Sequence, residues 1–398
     1  MGSDENIQLI RVSLIVTAPH PELRAICQRL LANVKRGLPD QTGDVLRVPA
    51  RAYSDPAQWQ REIEHIYLKV PLLVALSCDI PKAGDFMTMN IVGRPILIVR
   101  GDDGRARVLL NVCRHRGTLV ATDECGSARV FVCPYHAWTY DRTGRLAGIP
   151  DRNSFGEPEV EGLIELPSVE RAGAIFATIS GDSVLNIEPW LGGMLPSLEA
   201  LRLDALYPYR KTTTLKSPNW KIAADGYLDG YHIGFLHRDS IGKKSINNRN
   251  TYDCFGPHVR IGFANRRIHE SETTLEADWS LVDYMSLVHY VFPNISMSGG
   301  HGEALQLSRL FPGESVDQSI TVQHQYFRWP IEGEKTEAAE SRRLTYEQVV
   351  RDEDYATTFG ISAALSAMDN SPVIFGRNEP GNQNLHRHVA RLTGCNLY

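Results

Sequence analysis

The chain has 398 residues, too many for one simple core and about right for two domains or for one domain inserted into another. Apolar residues make up 42% and charged residues 22%, which favours neither disorder nor a fibrous architecture, and a formal charge of -5 gives no electrostatic case for nucleic acid or an anionic membrane. No run reaches the roughly 18 uninterrupted apolar residues of a membrane span, since "LIRVSLIV" is short and carries Arg11. The opening "MGSDEN" is acidic where a secretory leader is basic, so a cytoplasmic protein is expected. Seven cysteines, an odd number spread along the chain, argue against a disulfide framework.

Residues 21–37 read as an amphipathic helix, and "DPAQWQREIEHIYLKV" as a second, with Asp55 as cap and Pro56 in the first turn. From about Asp79 to Glu165 short apolar runs alternate with Gly, Asp and Pro, which predicts small antiparallel strands and turns. The stretches "AGAIFATIS", "HYVFPNISMS", "ALQLSRLFPG" and "QSITVQHQYFRW" predict a second, larger antiparallel sheet. Helical windows fall at 216–237 and 338–367. The fold class expected is α+β, with a small all-β unit over 71–172 inserted in a larger domain made of 1–70 and 173–398, its sheet flanked by helices.

Within the β-rich region, "CRHRG" supplies Cys113 and His115, and 18 residues after His115 "CPYHAW" supplies Cys133 and His136. Each pair follows a strand-like run, so both can sit at the tips of neighbouring hairpins. Zinc fingers take two cysteines from one turn and two histidines from a helix, whereas here each loop gives one of each. Mixed pairs suit a binuclear cluster, with two thiolates on one iron and two imidazoles on the other; structural zinc and chance spacing are the alternatives. Cys125, between the pairs, is read as structural.

These residues, with Arg114, Arg116, Gly117, Pro134, Tyr135 and Trp138, resemble the cluster motif of the Rieske non-haem iron oxygenases, catalytic (alpha) subunits of the aromatic-ring-hydroxylating dioxygenase type. Ala137 stands where that motif usually has glycine. The resemblance implies a Rieske [2Fe-2S] cluster on Cys113, His115, Cys133 and His136, and a catalytic domain of helix-grip, START-like form.

The second constellation is "NWKIAADGYLDGYHIGFLH", residues 219–237. On one helix Asp225, Asp229 and His232 lie within about 40° of each other. His237 is about 140° from His232, so both rings reach one ion only if the helix ends, widens or bends, which Gly234 would tolerate. Two imidazoles and a carboxylate make the open facial site of non-haem Fe(II) oxygenases. The window "RLTYEQVVRDEDYATTFGISAAL" offers Asp352, Glu353 and Asp354; Asp354 shares a stripe with Val350, Ile361 and Leu365 and is the choice, with Asp352 next.

Asn219, Trp220 and Lys221, the Glu-Asp helix and "GRNEPGNQNLHRH" resemble the catalytic domain of the same family, which implies mononuclear Fe(II) on His232, His237 and Asp354. His386 and His388 are read as structural. By resemblance Asp229 takes a catalytic role, linking His136 of one chain to His232 of the next as an electron path. Asp225-Gly226 departs from the usual Glu-Asn, so no role of that asparagine carries over.

The resemblance implies a terminal oxygenase, an oxidoreductase that incorporates O2 into an apolar substrate, aromatic or cyclic, as in aromatic hydrocarbon catabolism. Ring cis-dihydroxylation is the favoured outcome; monooxygenation or oxidative N- or O-demethylation is the alternative, and a bare Rieske electron carrier the non-enzyme one. Electrons come from a flavin and iron-sulfur reductase, with or without a ferredoxin, and the expected assembly is a homotrimer, with or without a small β subunit. No dinucleotide fingerprint appears, so NAD(P)H is not expected to bind this chain. Pocket walls are expected from Tyr227–Leu236 and Val282–Met297, where His289 or Asp283 could read a polar substituent although both are more often ordinary strand residues.

Overall fold

The computed structural model describes residues 21–156, 159, 161–368 and 371–395; the apolar run at 9–16 lies outside them. Among the described residues no helix is long and apolar enough to cross a membrane. The helix Pro21–Arg36 turns Ile26, Cys27 and Leu30 inward, onto Ala264, Met285 and Leu287 of the large sheet. Asp55 caps the next helix, Pro56–Glu62, its Oδ1 accepting from the Ala57 amide at 2.8 Å.

The chain enters a β-rich unit through Leu72–Leu76, all of it buried, and leaves through Ala174–Ala177. These two strands pair antiparallel, so the unit's ends emerge side by side. Inside it, a five-stranded sheet runs in the order Glu165–Leu166, Ala106–Leu110, Arg94–Arg100, Asp85–Ile91, Cys125–Ser127, and a small sheet joins Phe131–Val132, Thr139–Tyr140 and Leu146–Gly148. "AGAIFATIS", expected in the larger sheet, belongs to this root: its backbone is claimed by Leu72–Leu76 and Ser168–Arg171.

The larger part is an eight-stranded antiparallel sheet in the order Tyr207–Pro208, Ser319–Phe327, Ala304–Pro312, Ile295–Gly299, Met285–Val291, His258–Ala264, Thr251–Phe255, with Thr213–Ser217 also on Ser319–Phe327. The helices Trp220–Leu228 and Pro380–Thr393 share a core with it through Ala223, Ala224, Leu228, Leu385, Val389 and Leu310. This is the expected α+β architecture.

The run Asn219-Trp220-Lys221 has a structural explanation. Asn219 caps the helix, Oδ1 accepting from the Lys221 amide at 2.9 Å, and its amide donates to the Tyr53 and Val316 carbonyls. Trp220 Nε1 and Lys221 Nζ both donate to Glu62, at 2.8 and 2.6 Å, and the ion pair has no solvent exposure at all. Removing one member of a buried pair strands the other, at about 3–5 kcal/mol, while replacing both by apolar residues is often neutral. Lys221→Met is therefore expected to cost about 3–5 kcal/mol. Lys221→Met with Glu62→Leu should recover most of that loss in denaturant unfolding, and equal losses in the two variants would contradict the role given to the pair.

Candidate metal centres

The helix that begins at Trp220 is nine residues long and ends at Leu228, and Asp229 is extended. Asp225, Asp229 and His232 therefore do not share one helical face as expected. Asp225 turns back to His386 Nε2 at 3.0 Å and to the Tyr53 hydroxyl at 2.7 Å, and Asp229 turns to His232. His232 opens a short 3-10 turn, His232–Gly234, and this break removes the angular conflict with His237. A Cβ at Gly234 would fall within 2.3 Å of Asn247, whose Oδ1 takes the Gly234 amide, so the glycine serves a close backbone approach.

His232 Nε2 and His237 Nε2 lie 3.2 Å apart, and Asp354 Oδ1 lies 3.1 Å from the second and 3.6 Å from the first. Ligands about 2.1 Å from one ion, at right angles, are about 3.0 Å apart, so the spacing is that of a facial triad. The outer nitrogens strengthen the case. His232 Nδ1 meets Asp229 Oδ2 at 3.0 Å and His237 Nδ1 meets Glu353 Oε2 at 2.6 Å. A carboxylate only accepts, so each Nδ1 carries the hydrogen and each Nε2 presents a lone pair. Two lone pairs and a carboxylate oxygen then converge with no donor between them, which suits a cation. Burial pulls the His237 pKa down, but Asp354 and Glu353 outweigh it and hold the imidazole above its ordinary value.

The carboxylates come from Val349–Tyr355, a π-helical segment between the helices Glu334–Gln348 and Ala356–Leu365. Such segments recur at functional sites because they re-aim side chains. Here consecutive residues hold opposite nitrogens of one ring: Glu353 takes His237 Nδ1, with Ser240 donating to it at 2.7 Å, and Asp354 faces Nε2. Asp352 points outward to Arg351. The α-helical stripe that favoured Asp354 does not exist as drawn, since Ile361 is exposed. Glu353, weighed only as an iron ligand, instead accepts from the outer nitrogen of His237; seeing that needed the π turn.

In the β unit the two Cys-His loops have parallel backbones. Cys113 and Cys133 each accept from the amide four residues on, Gly117 or Ala137, and each donates to the carbonyl five residues on, Thr118 or Trp138. Gly117 has φ +81 and Ala137 φ +56, so the usual glycine is explained by a left-handed position that Ala137 occupies under strain. Both thiols are buried, while His115 and His136 lie at the rim, their rings 4.7 Å apart. His115 stacks on Trp138, and the buried His136 Nδ1 has no hydrogen-bond partner. Burial would raise the Cys113 pKa, but Tyr140, its hydroxyl 3.3 Å from Sγ, and the amides of His115 and Arg116 bring it below the ordinary value.

Among the described residues the group of three whose ligand atoms converge as one ion needs is His232, His237 and Asp354, and no such group is drawn from Cys113, His115, Cys133 and His136. Cys125, expected to be structural, is exposed.

A cavity of about 120 Å³ adjoins the histidine and carboxylate trio, lined by Gly226, Tyr227, Ile233, Phe263, Val288, Tyr346 and other side chains. Of the polar readers expected, His289 is fully buried against Ser197 and Asp283 pairs with Arg267, and neither reaches it. Gln306, Ser308 and Gln323, which do line it, sit on strands whose alternation announced a sheet and nothing more.

Residues 70–169 match the Rieske [2Fe-2S] domain and residues 203–394 the ring hydroxylating alpha subunit (catalytic domain). The glycine betaine monooxygenase oxygenase subunit of Chromohalobacter salexigens is 31% identical over 207 residues, 50% of this chain and 46% of that protein. Biphenyl 2,3-dioxygenase subunit alpha of Rhodococcus jostii RHA1 is 34% identical over 214 residues, 51% and 45% of the two chains. The match thus spans about half the length of these relatives. A quaternary ammonium Rieske monooxygenase in complex with L-carnitine shares the fold, with a TM-score of 0.75 at 20% identity over 93% of this chain and 98% of that one.

Partners of metal-bound histidines typically matter by 10–100-fold in metal affinity. Glu353→Ala is expected to weaken Fe(II) binding by roughly 10–100-fold in a chelator competition, with the fold intact by circular dichroism. Ala137→Gly, which relieves the left-handed alanine, should stabilise the β unit by about 1 kcal/mol in thermal unfolding.

Proposed function

The chain belongs to the Rieske oxygenase alpha subunits, a Rieske domain followed by a ring-hydroxylating catalytic domain, and on that premise we propose that it is a terminal oxygenase taking electrons from a separate reductase. The observation that carries this reading is the convergence of His232, His237 and Asp354 with no donor among them, beside an apolar cavity. In this proposal Cys113, Cys133, His115 and His136 hold the [2Fe-2S] cluster, and the trio holds Fe(II). When bound, the cluster passes single electrons and the iron reductively activates O2.

The chain's own residues do the rest. Asp229 and Glu353 fix the ring orientations and keep both Nδ1 protons in place. Ile233, Phe263 and Val288 keep the cavity dry. Asp229, partly exposed, is in this reading also the bridge to His136 of a neighbouring subunit in a trimer. Asp229→Ala should leave the cluster's absorption spectrum unchanged and lower turnover by roughly 10–100-fold, and normal turnover would remove the bridge.

The cavity narrows the substrate. About 120 Å³ is close to the space that holds one benzene-sized guest. Its lining includes Asp229 and Asp354 but no lysine or arginine, so a carboxylate there would meet two acidic side chains, with the iron as its one cation. A neutral, single-ring substrate fits best, hydroxylated at one or two carbons. A small quaternary ammonium compound is the second reading, favoured by the aromatic rings of Tyr227, Tyr346, Tyr355 and Phe263 together with the acidic charge.

Turnover with 18O-labelled O2 on toluene, a trimethylammonium compound and benzoate separates these readings. Label is expected in toluene products and absent from benzoate, and label confined to the ammonium compound would favour the second reading. Iron analysis should find two cluster irons and one mononuclear iron per chain; two irons alone would leave an electron carrier.

A further inference from the structure

The eight-stranded sheet has a second cavity on its other face. Alternate residues of a strand point to opposite sides, and Ser308 and Gln323 line the iron-site cavity while Arg309 and His324, next in each strand, line a cleft of about 640 Å³ between the sheet and the β unit. The two spaces are distinct and back onto the same strands.

We propose that this cleft binds a small organic anion, a carboxylate carried on an apolar body, as an effector site separate from the iron. Arg309 is 2% exposed, and its guanidinium carries five donors. Among the described residues its one ion-pair contact is long, Nη2 to Asp79 Oδ2 at 3.5 Å; the Tyr326 hydroxyl also lies against it, and its buried Nε has no partner. Asp79 is already engaged elsewhere, accepting from the Leu76 amide at 2.8 Å and from the Tyr326 hydroxyl at 3.1 Å. Buried donors left unmade are costly, and a guanidinium is met best by a carboxylate.

Arg210, exposed and in the same lining, adds a second cation with no ion pair among the described residues. Glu124, the other acid of the lining, stands exposed on the β unit. Thr212, Thr214 and His324 supply further hydrogen-bonding groups, and Met87, Met89, Leu119, Phe311 and Val322 form apolar walls. The cleft thus pairs an under-satisfied cation with apolar surface, the two halves of an aryl or alkyl carboxylate.

Cys125, exposed at the rim of the cleft, is a built-in reporter, and Cys254, also exposed, lies outside the lining and serves as control. Benzoate titrated into the iron-loaded protein should bind saturably by calorimetry and slow iodoacetamide labelling of Cys125 at least several-fold, with Cys254 unchanged. Arg309→Met should abolish both effects. Should that variant not fold, Arg210→Gln, a surface change, should weaken benzoate about tenfold.

Benzyl alcohol should neither bind nor protect, and equal binding by it would overturn the proposal, as would equal protection by inorganic phosphate, which lacks the apolar body. Failure of benzoate to protect Cys125 in the wild type, or unchanged benzoate binding in a folded Arg309→Met protein, also overturns it. Because these readouts are made without turnover, they stand or fall independently of the oxygenase reading.

Discussion

The catalytic half of the molecule depends on a charge that never meets water. Glu62, from the N-terminal helices, receives Lys221 Nζ and Trp220 Nε1 at the first turn of Trp220–Leu228, while Asn219 closes that turn from the other side. The start of this helix is held on both sides, and its other end delivers Asp229 and the turn carrying His232. An ion pair in a low-dielectric interior adds little net stability over an apolar contact, but it tolerates few alternative arrangements. In this fold it ties chain segments more than 150 residues apart to one geometry.

The two histidines of the trio are constrained unequally. His237 is almost fully buried and addressed on both ring nitrogens by consecutive carboxylates, whereas His232 stands on a short turn, partly exposed, with Asp229 on its outer nitrogen. The difference follows from what packs on each ring: the π-helical segment Val349–Tyr355 brings Glu353 and Asp354 onto His237, whereas His232 sits on a short 3-10 turn just past the end of Trp220–Leu228.

What the sequence disclosed tracks how local each signal was. Both Cys-His loops were legible because ligand, spacing and strand context lie within a few residues, and the all-β character around them followed from turn residues at short intervals. The trio was legible as a set of residue types, since imidazoles and a carboxylate suit one ion. Its geometry was not: extending the helix past Leu228 put Asp225 on the wrong face, and an ordinary α-helix over 349–355 hid the role of Glu353. Ala137 looked like a neutral departure until its positive φ gave the reason for a glycine. The lining Ser308 and Gln323 carry no motif, because a hydroxyl and an amide on an alternating strand mean nothing until the facing helix is placed.

The pairing of Leu72–Leu76 with Ala174–Ala177 has a bearing on how such a chain is assembled. Neighbouring strands run about 4.8 Å apart, so the point where the polypeptide departs into the β unit and the point where it returns are nearly coincident. The large sheet and its helices therefore see the hundred residues between as a loop, however elaborate. A cluster-bearing cassette can be exchanged or retuned through two adjacent covalent joints, leaving the iron-binding scaffold's own register undisturbed.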